Sequence, residues 1–268
     1  MATSDTVFAG SIPSIYDGYL VPLLFEPYAE IVAERAKALR PQRILETAAG
    51  TGIVTAALHT ALPQAEIVAT DLNQPMLEVA ASRLQSDQVS FLAADALQLP
   101  FDDSSFDLVV CQFGVMFFPD KVAANAEARR VLREGGRYLL VIWDSIDRNL
   151  ATKAAGAAVA GLFPDNSGAF YERIPFRYHD PALIEHDLLA AGFQDIEFET
   201  VGLRSRARSA AEAAKGLCQG SPMRTEIEKY GSDALERATE AAARALQQFE
   251  GPDGLDAPMS AHVVTAIK

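Results

Sequence analysis

Cysteine is nearly missing from this chain. Cys111 and Cys218 are the two in 268 residues, far apart and without pairing or metal-ligand spacing, so a reducing compartment fits better than a disulfide framework. Histidine is almost as scarce: His59, His179, His186 and His262 are scattered, and no metal-binding or nucleophile-base spacing joins them. Basic charge is short as well, with 23 Lys and Arg against 36 Asp and Glu and a net charge of −13. A protein that neutralises phosphates needs the opposite balance, so nucleic acid is not expected as a partner. No apolar stretch reaches the roughly 18 residues of a membrane span. The start, MATSDTVFAGSIPSIYDGY, lacks a basic segment followed by a long apolar run, so no secretory leader is expected and the cytoplasm is the expected location. Neither an internal repeat nor a low-complexity linker is visible, and nothing in the sequence specifies an oligomeric state.

What is present suits one packed α/β domain, with 49% hydrophobic and 22% charged residues. From Pro41 onward short β-rich runs alternate with helical stretches, the pattern of parallel strands joined by crossover helices. Strands are expected at 43–47, 66–70, 89–93, 106–111, 137–143 and 195–201. The alternating, β-branched run 261–267 reads as a last edge strand. Helices are expected from the glycine turn to about 62, where Pro63 stops the run, from an Asn73 cap to about 85, from 121 to 133 before Gly135-Gly136, from 149 to 162, and after Asp180-Pro181. Residues 163–178 read as irregular. An Ala/Glu-rich stretch, 209–249, reads as helical with breaks at 216–222 and near 231, and Ser209 and Glu212 have capping-box spacing. This gives one domain over 1–268: a leader cap at 1–40, a ligand-binding core at 41–143, an insertion at 144–179 lining the substrate side, and remaining sheet at 180–268 with a helical insertion at about 207–250.

The first expected strand ends in Glu46-Thr47-Ala48-Ala49-Gly50-Thr51-Gly52. Two glycines between a buried strand and a helix permit unusual dihedrals and close backbone approach by a ligand. Taken alone the turn could be a tight connection and nothing more. Acidic residues at successive strand ends add to it: Glu46 after the first, Asp71 after the second and Asp95 after the third. In an open parallel sheet these positions line one crevice. Asp71 follows Gly50 by 21 residues, a spacing suited to hydrogen bonds from ribose hydroxyls. That spacing also fits a nicotinamide dinucleotide. The dinucleotide fingerprint, however, wants a third Gly or Ala where this chain has Thr55, and Glu46 would sit awkwardly beside a pyrophosphate.

With ILETAAGTG, IVATDLNQPMLEVA, FLAADALQLPFDDSSFDLVV and EARRVLREGGRYLLV in this order, residues 43–143 resemble the class I S-adenosylmethionine-dependent methyltransferases, in particular the branch of ubiquinone and menaquinone biosynthesis and related small-molecule enzymes. The resemblance implies a Rossmann-like, doubly wound α/β fold: a mostly parallel seven-stranded sheet with helices on both faces and an antiparallel last strand. It implies S-adenosyl-L-methionine as cofactor, S-adenosyl-L-homocysteine as product and a small molecule as methyl acceptor. It assigns Glu46, Ala48, Ala49, Gly50, Thr51 and Gly52 to the methionine part of the cofactor and Asp71 to the ribose. Leu72 and Met76 would pack on adenine, Asp95, Ala96 and Leu97 would meet its polar edge, and Cys111, Gln112 and Phe113 would floor the site. The first motif departs from D-x-G-x-G-x-G at Glu46 and at Ala48, which is expected to avoid a glycine-only conformation.

Methyl transfer is an in-line displacement at a carbon on positive sulfur, achieved by positioning and water exclusion; no metal is demanded, and a base only if the acceptor must lose a proton. No catalytic base is assigned. Cys111 reads as a small buried packing residue. Tyr16 and Tyr19, in an aromatic, Pro-rich leader, are candidate cap contacts; Phe117 and Trp143, with Phe118, Phe170, Tyr171 and Phe176, are candidates for an apolar acceptor pocket. Two alternatives to methyl transfer remain at this point, an NAD(P)-dependent oxidoreductase and a non-catalytic S-adenosylmethionine-binding domain.

Overall fold

Four of the five residues of Arg43–Thr47 (β1) are buried, as a central parallel strand covered on both faces requires. In the computed structural model, which describes Phe8, residues 10–163 and residues 170–268, β1 lies between β2 (Glu66–Asp71) and β4 (Phe106–Gln112), parallel to both. Two further parallel strands extend this centre, β3 (Val89–Ala93) beyond β2 and β5 (Leu132–Trp143) beyond β4. With β6 (Gln194–Ala207) and β8 (Gly254–Ile267), the order is β3-β2-β1-β4-β5-β8-β6; a two-residue strand, β7 (Glu250–Gly251), pairs with β8. The fold is therefore the doubly wound α/β arrangement with one antiparallel strand pairing β5.

The chain divides into two compact units. One holds Tyr28–Trp143, Tyr178–Val201 and Ala261–Lys268, and contains the parallel strands. Its helices are most of α2 (Glu26–Leu39), α3 (Ile53–Ala61), α4 (Gln74–Arg83), α5 (Lys121–Val131) and α8 (Pro181–Ala190), which follows an α6 (Leu150–Leu162) and α7 (Phe170–Arg173) of the other unit. Asp180 caps α8 by accepting from Ala182 N–H at 2.9 Å with Pro181 at the first position, and Gly192 at φ +91° closes it. An aromatic core forms where Trp143 stacks on Phe113, centroids 3.8 Å apart, and Tyr28 meets both edge-on.

The other unit holds Met1–Pro27, Asp144–Arg177 and Gly202–Ser260. It is mainly helical: α1 (Ile12–Ile15), a π-helical stretch at Tyr16–Phe25, α6, α7, α9 (Ala210–Gln219), α10 (Met223–Glu228) and α11 (Ala234–Leu246). Ala-rich faces of α9 and α11 are buried, and small side chains allow helices to approach closely. Residues 1–7, where the leader reading begins, and 164–169, within the expected irregular segment, lie outside the described residues.

Several expected boundaries move. Helix α5 stops at Val131, and β5 starts at once with Leu132. Gly135 and Gly136 do not end a helix; they form a bulge in β5, where the register passes from Phe106↔Leu132 to Leu108↔Arg137. A Cβ on Gly136 would lie 2.8 Å from Arg133 O, so the glycine is needed there for space. Strand β6 continues through Gly202 to Ala207, because alternation persists with the arginines at 204 and 206 facing out and Ser205 buried. The final strand is longer than expected, and it is not an edge: β8 lies between β5 and β6. The expected break at 216 falls at 220–222, since Gly216 sits inside α9, where a Cβ would come within 3.2 Å of the Tyr19 backbone. Ser209 caps α9 through Glu212 N–H at 3.1 Å, but the Glu212 carboxylate pairs with Arg208, so the capping box is half made.

Candidate functional site

The turn after β1 is tied down by backbone and side-chain bonds. Ala49 N–H donates to Thr70 O at 2.9 Å, Gly52 N–H to Ala49 O at 3.0 Å, and Gly50 N–H to Asp71 Oδ2 at 2.9 Å. Asp71 thus clasps the turn from the end of β2 while its Oδ1 accepts from Asn73 N–H at 2.8 Å and from the Asn73 side-chain amide at 3.3 Å. Asn73 holds the N-cap position of α4 as expected, but its side chain does not cap the helix. Arg83 of α4 donates to Thr51 O at 3.2 Å, fixing the other side of the turn.

Three residues of the turn take left-handed dihedrals: Ala48 at φ +54°, Gly50 at +57° and Gly52 at +80°. Ala48 therefore does not avoid the region that favours glycine; it enters it, at a cost of about 1–2 kcal/mol for an L-residue. A Cβ on Gly52 would lie 2.8 Å from Ala80 Cβ, so α4 packs directly on the turn. Ala48 meets a second glycine. Gly114, just past β4, leaves no room for a Cβ between Ala48 Cβ and Cys111 Sγ.

Glu46 is 2% exposed and its Oε2 accepts from the Thr55 hydroxyl at 2.6 Å. Burial, and to a lesser degree the nearby Asp71, push its carboxyl up to about 8, against the lowering effect of Thr55. Asp71 is likewise raised by burial, opposed by the amides of Asn73 and Gly50. Asp95 is exposed, on the loop after β3, and accepts from Leu97 N–H at 2.9 Å. All three carboxylates stand at carboxyl ends of adjacent parallel strands.

The other expected residues divide. Leu72 is 52% exposed and free to cover a planar ligand, whereas Met76 is buried. Ala96 and Leu97 are half-buried beside Asp95. Cys111 is fully buried and its thiol is pushed up to about 11 by desolvation, so it stays neutral and serves packing. Gln112 is half-buried; Phe113 is buried at φ +53° and stacked on Trp143. Phe117 is half-buried. Tyr16, Tyr19, Phe170, Tyr171 and Phe176 belong to the other unit. There Tyr16 stacks on Phe25, Lys215 donates to Tyr19 Oη at 3.0 Å, and buried Tyr171 donates to Leu217 O. Thr55 and Gly114 were missed as site residues. The sequence signal for Thr55 was its position nine residues after a strand-end acid; Gly114 carried none.

A polar vacancy supports a ligand here. The Thr51 hydroxyl is buried within the turn and has no hydrogen-bond partner, which is costly unless something else supplies one. Strand-end acids, a left-handed glycine turn opening a helix and an exposed Leu72 are together the features expected of a site for a nucleoside-bearing ligand on a doubly wound sheet.

Comparison with known proteins carries this further. A family profile described as a methyltransferase domain matches residues 45–140. The chain is 42% identical over 111 residues to the demethylmenaquinone methyltransferase of Deinococcus radiodurans, an alignment covering 41% of this chain and 46% of that relative. It is 32% identical over 182 residues to the ubiquinone/menaquinone biosynthesis C-methyltransferase of Stutzerimonas stutzeri, covering 63% of this chain and 71% of the relative. The match thus spans about half the length of the first relative and more of the second. The YcgJ protein of Bacillus subtilis superimposes with a TM-score of 0.60 at 20% identity, over 90% of this chain and 98% of that one, and so shares the fold. The chain belongs to the class I S-adenosylmethionine-dependent methyltransferases, within the ubiquinone/menaquinone branch. The oxidoreductase and non-catalytic alternatives gain no support from these likenesses.

Proposed function

We propose that this protein transfers a methyl group from S-adenosylmethionine to a small organic acceptor with a quinone-type ring. The observation that carries the reading is the left-handed Gly50 turn, clasped by Asp71 and underlain by Glu46 at the carboxyl ends of β1 and β2. The named activities of the Deinococcus and Stutzerimonas relatives supply the acceptor class.

S-adenosylmethionine, when bound, supplies a methyl group on a positively charged sulfur. Residues Glu46 to Gly52 would hold its aminoacyl end through backbone groups, with the Thr51 hydroxyl gaining the partner it lacks. Asp71 would accept from ribose hydroxyls, and Leu72 would cover one face of the adenine. Asp95, Ala96 and Leu97 would meet its polar edge. Phe113, held by the Trp143 stack, would exclude water from the floor, with Cys111 and Gln112. The protein's contribution is alignment and desolvation; alignment alone is worth up to about 7–11 kcal/mol in favourable cases. No helix among the described residues is long and apolar enough to cross a membrane, and two buried free thiols suit the reducing cytoplasm as the working compartment.

Calorimetry with S-adenosylmethionine, S-adenosylhomocysteine, NAD(H) and NADP(H) tests the cofactor. Binding of the nicotinamides alone would refute the reading. Incubation of a demethylated naphthoquinone with methyl-labelled cofactor tests the acceptor, and label left entirely in the cofactor across quinone and phenol panels would refute that part.

A further inference from the structure

We propose that Thr55 is a positioning residue: its hydroxyl, bonded to the buried Glu46 carboxyl beneath the turn, holds that group ready to ionise, so that seating a cationic cofactor there expels one proton to solvent. The proposal rests on the reading of the turn as an S-adenosylmethionine site.

Thr55 is fully buried in the first turn of α3, and Glu46 is 2% exposed near the end of β1. Neither side chain reaches bulk water, so the 2.6 Å bond is made in a low dielectric. A hydroxyl donating to a carboxylate favours the anion, since the neutral acid is the poorer acceptor. The surrounding groups push the other way. Burial disfavours the charged form most, Asp71 at the end of β2 repels a second negative charge, the Cys111 thiol of β4 is neutral, and Arg83 of α4 donates to Thr51 O. Without a ligand the Glu46 carboxyl therefore titrates near 8. S-adenosylmethionine carries an ammonium and a sulfonium against one carboxylate, and its net positive charge favours the anionic form of a neighbouring carboxyl. Binding and deprotonation are then linked, and Thr55 sets the pH at which they meet.

At the third small position of a glycine-rich turn, threonine thus does something Gly or Ala could not. It donates to the acid that begins the same motif.

The test is calorimetry of S-adenosylmethionine binding in buffers of different ionisation enthalpy, between pH 6.5 and 9.5, with S-adenosylhomocysteine, whose sulfur is uncharged, as a control expected to release less than S-adenosylmethionine. Wild-type protein is expected to release close to one proton per cofactor at pH 7, and less as the pH passes 8. Thr55→Val keeps shape but removes the donor. Its proton release is expected to persist about one to two pH units higher, with affinity at pH 7 lowered about 10-fold per unit of displacement. Thr55→Ser should restore the wild-type profile, and Glu46→Gln should bind without releasing a proton. Equal proton release curves for wild type and Thr55→Val, or release undiminished in Glu46→Gln, would overturn the proposal while leaving the cofactor reading intact. Failure of wild-type protein to bind either ligand would instead overturn the cofactor reading. Circular dichroism of each variant separates misfolding from loss of the bond, and the serine variant keeps the outcome decisive if valine disturbs packing.

Discussion

Exchange of one methyl group between Ala48 and Gly114 probes the floor of the cofactor turn. Gly114 has φ −103° and ψ −44°, dihedrals any L-residue accepts, so Gly114→Ala meets no backbone penalty and gains about 0.4–1 kcal/mol from a stiffer unfolded chain. Its new Cβ would, however, collide with Ala48 Cβ, which is half-buried, and lie 2.8 Å from Sγ of the fully buried Cys111. Overpacking of this kind costs about 1–3 kcal/mol, and two simultaneous overlaps put the expected loss near the upper end. Ala48→Gly acts oppositely. It relieves the φ +54° strain, worth about 1–2 kcal/mol, and loses about 0.5–1 kcal/mol to glycine's entropy. The single variant should therefore lie between wild-type stability and about 1.5 kcal/mol above it.

The double variant moves the methyl from one wall to the other. One overlap disappears, and the contact with Cys111 remains. The double-mutant cycle should show a favourable coupling of about 1–2 kcal/mol. Urea unfolding followed by fluorescence of Trp143, the chain's single tryptophan and part of the same unit, measures it through midpoints at unchanged slope. Additive effects within about 0.5 kcal/mol, or a Gly114→Ala protein as stable as wild type, would refute the reasoning.

Asp71→Ala should weaken S-adenosylhomocysteine binding by about 1–3 kcal/mol, or about 5- to 150-fold in Kd; because Asp71 also holds Gly50 N–H, Asp71→Asn, which keeps an acceptor, should lose less. Equal losses by calorimetry would remove the clasp from the explanation. The Glu46 carboxyl, raised from 4.5 to about 8, favours the folded ligand-free protein below about pH 4.5 and loses that contribution as the pH rises towards 8. Glu46→Gln should flatten the thermal-stability profile over this interval, measured by scanning calorimetry. Asp107 behaves oppositely: burial would raise it, but the amides of Arg43 and Gln42 and the Arg133 guanidinium hold its carboxyl below 3.8. Its contribution is present above pH 3.8 and lost as the pH falls through the lowered folded value, so Asp107→Ala should cost about 1–3 kcal/mol at pH 7 by urea unfolding and progressively less in acid.

Local features were readable wherever a residue's role depends on its own neighbours in the chain. Gly50 and Gly52 announced a turn of unusual dihedrals, Asp180-Pro181 a helix start, and the run 106–111 a buried strand. The series Glu46, Asp71 and Asp95 placed three carboxylates at successive strand ends before any coordinates. What escaped depends on partners distant in sequence. Whether 261–267 is edge or interior depends on β6, some 60 residues earlier, choosing it as neighbour. Gly135-Gly136 serves a helix stop and a strand bulge equally well, and the pairing with β4 decides. Thr55 looked like a departure from a dinucleotide fingerprint until its hydroxyl was seen against Glu46. Ala48's dihedral could not be read from its identity, since alanine argues against the conformation it adopts.

The interior place of β8 has a consequence for the order in which the molecule can be built. Strand β6 is synthesised some 50 residues ahead of β8, yet in the finished sheet its neighbour is β8. If the β1 to β5 array, complete by Trp143, formed as the chain was made, it would present an open flank along β5 while β6 had no β8 to pair with. Two unpaired strand edges would then coexist on one nascent chain, and their direct union would lock out β8. The temporal gap is thus a point at which chaperones, or translation speed between codons 207 and 254, would govern the yield of native protein.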